Sequence, residues 1–213
     1  MTIENIILFI ENPNSYWSSR SHTQIENEFE IKPEDFLNYA EKDLESEYEH
    51  KLINSLSNAK RSLDCQVDIL LIAFGYYSIA KKKMLGFPKK IEIIKELGIL
   101  APRVLLKLNK TRNLMEHHFA KPTNEQVEDF VDIVGLFIAS TDKYIYNFPD
   151  DLQIESYSPE QDFWLTIQND YKNEKIIISI SNIEAPNNSI SFTSRDEQYP
   201  RLLKSILNIG NQH

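Results

Sequence analysis

Residues 107–122 read KLNKTRNLMEHHFAKP. Arg112, Asn113, His117 and His118 place a permanent cation, an amide and two titratable bases within seven residues. A guanidinium grips phosphate oxygens through two parallel N–H bonds. An imidazole can take up or release a proton near neutrality. Those two kinds of group suffice to cleave a phosphodiester: one moves protons, the other stabilises the charge that builds on the phosphorus oxygens. Asn113 and His117 are four apart and share a helix face. Arg112 and His117 are five apart, about 140° around an ideal helix. They meet on one phosphate only if Arg112 reaches across or a second chain supplies the other half. The same residues also permit a blander reading, in which Arg112 pairs with Glu116 at i+4 and the histidines favour a helix C-terminus.

The charge around this stretch points the same way. The 213-residue chain carries a formal charge of −9, which argues against nonspecific coating of nucleic acid. From Lys81 to Lys121, however, eleven basic residues face three acidic ones, a surplus of eight, which leaves −17 for the rest. Lys107, Lys110 and Lys121 flank the central stretch and are candidates for holding phosphates. The alternative is that these lysines line solvated helix faces and turns.

The stretch has to be positioned by helices. Lys32-Pro33-Glu34-Asp35 is a proline-led, acidic helix start. Apolar positions follow at Phe36, Ala40, Leu44, Tyr48, Leu52, Leu56, Ala59, Leu63, Val67, Leu70 and Phe74, always three or four apart. This predicts one amphipathic helix, or two nearly collinear ones with a break near residues 54–58. Gly75 fits its end. A short helix over 89–97 points Ile91, Ile94 and Leu97 inward and stops at Gly98. Ala101-Pro102 opens the helix that carries the central stretch, with Val104, Leu105, Leu108, Met115 and Phe119 as its stripe and Pro122 as its stop. Thr123 and Gln126 form a capping box for the next helix, whose seam is Val127, Phe130, Val131, Val134, Phe137, Ile138, Thr141 and Ile145.

The expected fold class is therefore mainly α: a bundle of four to five helices over residues 32–147, with a small β-rich C-terminal appendage over 148–213. Within the appendage, residues 163–168, 176–181 and 189–193 read as strands and 200–209 as a closing helix. Residues 1–31 read as an N-terminal segment that is irregular or forms short strands. Its 12–23 portion is rich in Asn and Ser, and it could add a strand to the appendage.

With the bundle in view, Arg112-Asn113 and His117 resemble the hallmark of the HEPN superfamily, the higher-eukaryote and prokaryote nucleotide-binding domains. These are helical bundles bearing R-x4-6-H, often with a polar residue after the arginine. His118 also falls within the permitted spacing. The resemblance covers residues 33–147. It implies a homodimer in which two motifs face each other in one composite, metal-independent ribonuclease site. The implied reaction is attack of an RNA 2′-hydroxyl on the adjacent phosphate. The implied roles are His117, with His118 as alternative, for proton transfer, Arg112 as phosphate anchor and Asn113 as orienting group. RNA or a nucleotide is the implied ligand, a neutralising or effector protein a further partner, and no cofactor is implied. Families of this kind often act in microbial defence or toxin systems. The alternative is a HEPN-like module that no longer cuts and serves dimerisation or nucleotide sensing. A toxin branch of the family carries a tyrosine two residues after the histidine, which is modified to silence it. Phe119 stands there and has no hydroxyl to modify, so that particular pairing is not expected.

Other features bound the answer. Cys65 is alone, so neither a disulfide framework nor a cysteine metal site is expected, and a reduced, cytoplasmic compartment is the simplest reading. His22 and His50 lack ligand-spaced partners, so no metal is implied. No apolar run approaches a membrane span, and the first residues lack the features of a secretory signal. The glycines form no phosphate-binding loop. Tyr16, Trp17 and Trp164 could stack on bases but read better as packing residues. Asp35, Asp150 and Asp151 read as helix or turn residues.

Overall fold

The computed structural model describes residues 2–99, 105, 120–158, 162–182 and 188–209. Its first large unit is a helical hairpin. Proline at the first turn and Asp35, whose carboxylate accepts the Lys32 N–H at 3.0 Å, start α2 (Pro33–Glu45). The chain then turns over residues 46–50 and runs back as α3 (Lys51–Ala73). Asn58 Nδ2 donates to Asp43 Oδ2 at 2.8 Å and Ser62 Oγ donates to the Pro33 carbonyl at 2.6 Å. Higher numbers on α3 thus meet lower numbers on α2, and the two are antiparallel. The expectation of two nearly collinear helices broken near 54–58 is corrected on both counts. The apolar rhythm of threes and fours runs through the turn without a missed beat, so periodicity alone does not reveal the reversal.

The end of α3 is built by Gly75. Its φ of +71° is the left-handed conformation that closes a helix. The Tyr76 N–H reaches the Leu71 carbonyl at 2.9 Å and the Gly75 N–H reaches Ile72 at 3.2 Å, the paired bonds of a Schellman stop. Two short helices follow, α4 (Tyr77–Lys82) and α5 (Phe87–Glu96). Farther on, Thr123 and Gln126 bond each other's backbone in the expected capping box and start α6 (Asn124–Thr141). Its buried residues are Val127, Phe130, Val131, Val134, Phe137, Ile138 and Thr141, the seam read from the sequence. The single turn α7 (Lys143–Tyr146) then leads into the sheet.

The sheet has five antiparallel strands among the described residues, in the order β1 (Ser15–Thr23), β2 (Phe148–Ser156), β3 (Phe163–Asp170), β4 (Lys175–Asn182) and β5 (Asn188–Thr193). Its inner face carries Leu152, Ile154, Leu165, Ile167, Ile176, Ile178 and Phe192, all buried. The N-terminal helix α1 (Ile3–Ile10) reaches it through Phe9, whose ring centroid lies 4.8 Å from that of Phe163. The last helix, α8 (Tyr199–Ile209), is tied to α1 by Arg201, which bonds Glu4 at 2.8 Å and Glu11 at 3.0 Å.

The fold is a mixed α/β protein, not a mainly α bundle with a small β appendage. The edge strand β1 comes from residues that precede the bundle and pairs with β2, which follows it. One contiguous apolar cluster runs from Ile6 and Ile7 through Leu70 and Phe130 to Ile167 and Leu203. Two features hid the larger sheet. β1 is made of Ser, Arg, His and Thr around two aromatics and has two register shifts. β2 contains Pro149 and two aspartates, residues that ordinarily mark turns.

Candidate functional site

Arg112, Asn113, His117 and His118 lie outside the described residues, as do Lys107 and Lys110. Described residues flank them in the sequence. Leu105 is fully buried, with 0% of its surface exposed. On the far side Pro122 is buried, next to the capping box of α6, and Lys121 is exposed. Of the basic residues upstream, Lys81, Lys82 and Lys83 are exposed at the C-terminal end of α4, where cations complement the helix dipole. Lys89 bonds Glu92 at 2.7 Å, and Lys90 bonds Asp68 of α3 at 2.5 Å. Part of the basic surplus is thus spent on local ion pairs.

The secondary candidates have structural partners. His50 stacks on Tyr48 with ring centroids 5.6 Å apart, just ahead of α3. His22 lies on β1, where desolvation and the Arg20 charge hold its imidazole below the usual range. Burial pushes the Cys65 thiol up to about 11, so it is protonated at neutral pH and a poor nucleophile. Arg20 sits 3.7 Å over the Trp17 ring, and Tyr16 stacks on Tyr157 at 4.0 Å while donating to Glu155. Asp150 is shifted upward by burial and by the charges of Asp151 and Asp170. Among the described residues no group of three or more His, Cys, Asp or Glu is placed to hold a metal ion, and no helix is long and apolar enough to cross a membrane.

Two clefts among the described residues were not read from the sequence. After β1 the chain passes through residues 24–31 before α2 begins. The Ile25 N–H donates to the Ile145 carbonyl at 2.7 Å and the Glu26 N–H to the Tyr171 hydroxyl at 3.2 Å. This strap has a cleft on either side. One, of about 650 Å³, lies towards α4 and is lined by Phe29, Ile72, Tyr77, Lys81 and Tyr171. The other, of about 600 Å³, lies towards α2, α3 and α7. Its apolar lining is Ile25, Ile69, Ile145 and Pro33, and its polar lining includes Lys32, Glu34, Gln66 and Tyr146.

Gln66 is fully buried on α3. Its Nε2 donates to Thr141 Oγ1 at 2.8 Å and to Asp142 Oδ1 at 3.2 Å. The Thr141 hydroxyl donates onward to the Phe137 carbonyl at 2.8 Å. The Tyr146 hydroxyl donates to Glu34 Oε1 at 2.8 Å. Burial, that bond and the charges of Glu34, Asp142 and Asp35 push the Tyr146 hydroxyl up to about 12. Burial also raises the Asp142 carboxyl, against the lowering effect of the Gln66 N–H. Glu34, Gln66 and Tyr146 lie on three different elements. The one local signal for them is a glutamine in the buried stripe of α3, which also holds Ser55 and Ser62.

No family model, curated protein or solved structure matches the chain. The functional reading therefore rests on its own residues.

Proposed function

We propose that the chain is a metal-independent endoribonuclease that cuts single-stranded RNA with Arg112, Asn113 and His117. The observation that carries this reading is the sequence itself: a guanidinium, an amide and adjacent imidazoles within seven residues, inside a segment with a basic surplus of eight. Leu105 and Pro122, on either side of residues 112–118 in the sequence, are both buried. His117, or His118 in its place, takes the proton from an RNA 2′-hydroxyl. The 2′-oxygen bonds to the adjacent phosphorus, and the bond from phosphorus to the 5′-oxygen breaks. An imidazolium returns a proton to the leaving oxygen, giving a cyclic phosphate and a 5′-hydroxyl. Arg112 holds the phosphate and stabilises the charge that builds on it. Asn113 orients the reacting groups, and Lys107, Lys110 and Lys121 hold flanking phosphates. Two copies facing each other complete the site, which brings Arg112 and His117 together despite their angular separation on one helix. The reading places the protein in the cytoplasm, in a defence or toxin role, with a neutralising or effector protein as partner.

The test is cleavage of end-labelled single-stranded RNA in excess chelator. Wild type is expected to cut. Arg112→Ala and one of His117→Ala or His118→Ala are expected to lose about a hundredfold or more of that rate. Wild-type inactivity over varied RNAs would instead favour a HEPN-like dimerisation or nucleotide-sensing module, and activity surviving all three substitutions would overturn the assignment of residues.

A further inference from the structure

Two exposed places, one towards either end of α3, hold residues that the fold itself does not favour. The first follows α4. The Leu85 N–H reaches the Ala80 carbonyl at 2.9 Å and the Met84 N–H reaches Lys81 at 3.1 Å, the paired bonds of a helix stop. Met84 has a φ of +48°, a left-handed position that favours glycine and strains any other residue. Its side chain is 89% exposed, so packing does not offset the strain. Residues 81–90 hold five lysines and no acid. Lys81, Lys82 and Lys83 are exposed, and no ion pair holds Lys82 or Lys83 among the described residues. The second place is the reversal between α2 and α3, where residues 41–50 hold five acids against Lys42. Glu41, Glu45, Glu47 and Glu49 are exposed. Glu45 ends α2, where the helix dipole disfavours an anion. Tyr48 stands between Glu47 and Glu49 and is 68% exposed, and Ile53 on the first turn of α3 is exposed as well.

The two poles do not meet within one chain. Lys90 bonds Asp68, which sets the basic run beside the C-terminal part of α3, whereas the acidic turn precedes its first residue. From Lys51 to Asp68 the helix rises roughly 25 Å, well beyond the screening length of about 8–10 Å. Each pole pairs exposed charge of one sign with an exposed apolar side chain, and each offers what the other lacks. We propose that the basic pole at Met84 docks on the acidic pole at Tyr48 of a second copy, head to tail. Lys82 and Lys83 meet Glu47 and Glu49 across that contact, and Met84 covers the apolar surface of Tyr48 and Ile53. The contact is heterologous and leaves a free pole at each end, so copies add in a row or close into a ring. It is independent of the ribonuclease reading, which pairs two copies through residues 112–118.

Analytical ultracentrifugation of the full chain tests this. At low salt the weight-average mass is expected to climb with concentration past that of a dimer, and to fall back in about 0.5 M sodium chloride. A basic-pole reversal, Lys82→Glu with Lys83→Glu, and an acidic-pole reversal, Glu47→Lys with Glu49→Lys, should each weaken that growth about tenfold or more. Mixing the two variants should restore a salt-sensitive complex holding one of each, because each retains the pole that the other has lost. A variant that failed to fold could not do this. Met84→Gly suits the left-handed backbone, so it is expected to hold or raise the unfolding midpoint while weakening assembly about tenfold. The proposal is overturned by a mass that does not grow at low salt, by growth that survives high salt or either reversal, or by a mixture that does not associate. It is equally overturned if the wild type does not grow and Lys82 and Lys83 instead bind RNA or phosphatidylserine vesicles.

Discussion

Two buried amide oxygens near α3 show how differently its two borders are built. Asn169 and Gln66 are both almost wholly inaccessible, and each has an Oε1 or Oδ1 without a donor among the described residues. Asn169 Nδ2 donates to the Pro149 carbonyl at 2.5 Å, and its neighbourhood holds a void of only about 10 Å³ among Phe148, Tyr171, Tyr199 and Leu203. That is the size of a single water site. Aromatic rings close this border. Phe74 lies 5.8 Å from Tyr144 and 6.3 Å from Phe148 between centroids, and the Tyr199 hydroxyl donates to the Phe74 carbonyl at 3.0 Å. Gln66 lies beside a cleft of about 600 Å³, some sixtyfold larger, lined by Glu26, Glu34 and Lys32 and bounded by an irregular strap. The first border joins bundle to sheet. The second is an open cleft, and its exposed side chains, such as Tyr146, should matter less to stability than the rings of the first.

Substitutions can break or sharpen that contrast. The largest effect is expected for Phe74→Ala, which removes a fully buried ring from the closed border and should cost about 3–5 kcal/mol in denaturant unfolding. Gly75→Ala comes next. A Cβ there would strain a φ of +71° and lie 2.9 Å from the Tyr199 hydroxyl. The expected loss is about 2 kcal/mol or more, with Tyr199 forced off the Phe74 carbonyl. In the open cleft Tyr146→Phe removes only a hydroxyl from a side chain that is 49% exposed. Its unfolding midpoint should stay within about 0.5 kcal/mol of wild type. A loss as large as that of Gly75→Ala would erase the distinction between the borders.

The smallest effect is a pH slope. Burial raises the folded-state carboxyl of Asp142 above its ordinary 3.8. From 3.8 up through that raised value the folded chain holds more protons than the unfolded one, so this group's contribution to stability is lost as pH rises across the window. Asp142→Asn keeps an acceptor for Gln66 and should flatten the slope there, as read from unfolding curves at a series of pH values.

The elements that could be read ahead of the structure were those whose signals are local. Thr123 and Gln126 announce the start of α6, and Val127 to Thr141 give its seam at helical spacing. The rhythm from Phe36 to Phe74 marks helix but not direction, so the hairpin reversal at 46–50 stayed hidden. The sheet was underestimated because β1 meets β2 across more than a hundred residues, in pairs such as Trp17 with Ile154. Its Ser-rich sequence looks like loop until a partner strand satisfies its backbone. The candidate sites divide the same way. Arg112, Asn113 and His117 are close in sequence and could be recognised by type and spacing. Glu34, Gln66 and Tyr146 become neighbours only through the packing of α2, α3 and α7, which no spacing rule encodes.

The most direct test of the proposed activity is the chemistry of the RNA ends. Single-stranded RNA digested by wild type in excess chelator, and analysed by mass spectrometry beside Arg112→Ala and His117→Ala digests, should show fragments ending in a 2′,3′-cyclic phosphate and beginning with a 5′-hydroxyl. Those ends should vanish with Arg112→Ala. Fragments with 3′-hydroxyl and 5′-phosphate ends, or no fragments at all, would contradict attack by the 2′-hydroxyl and with it the role assigned to residues 112–118.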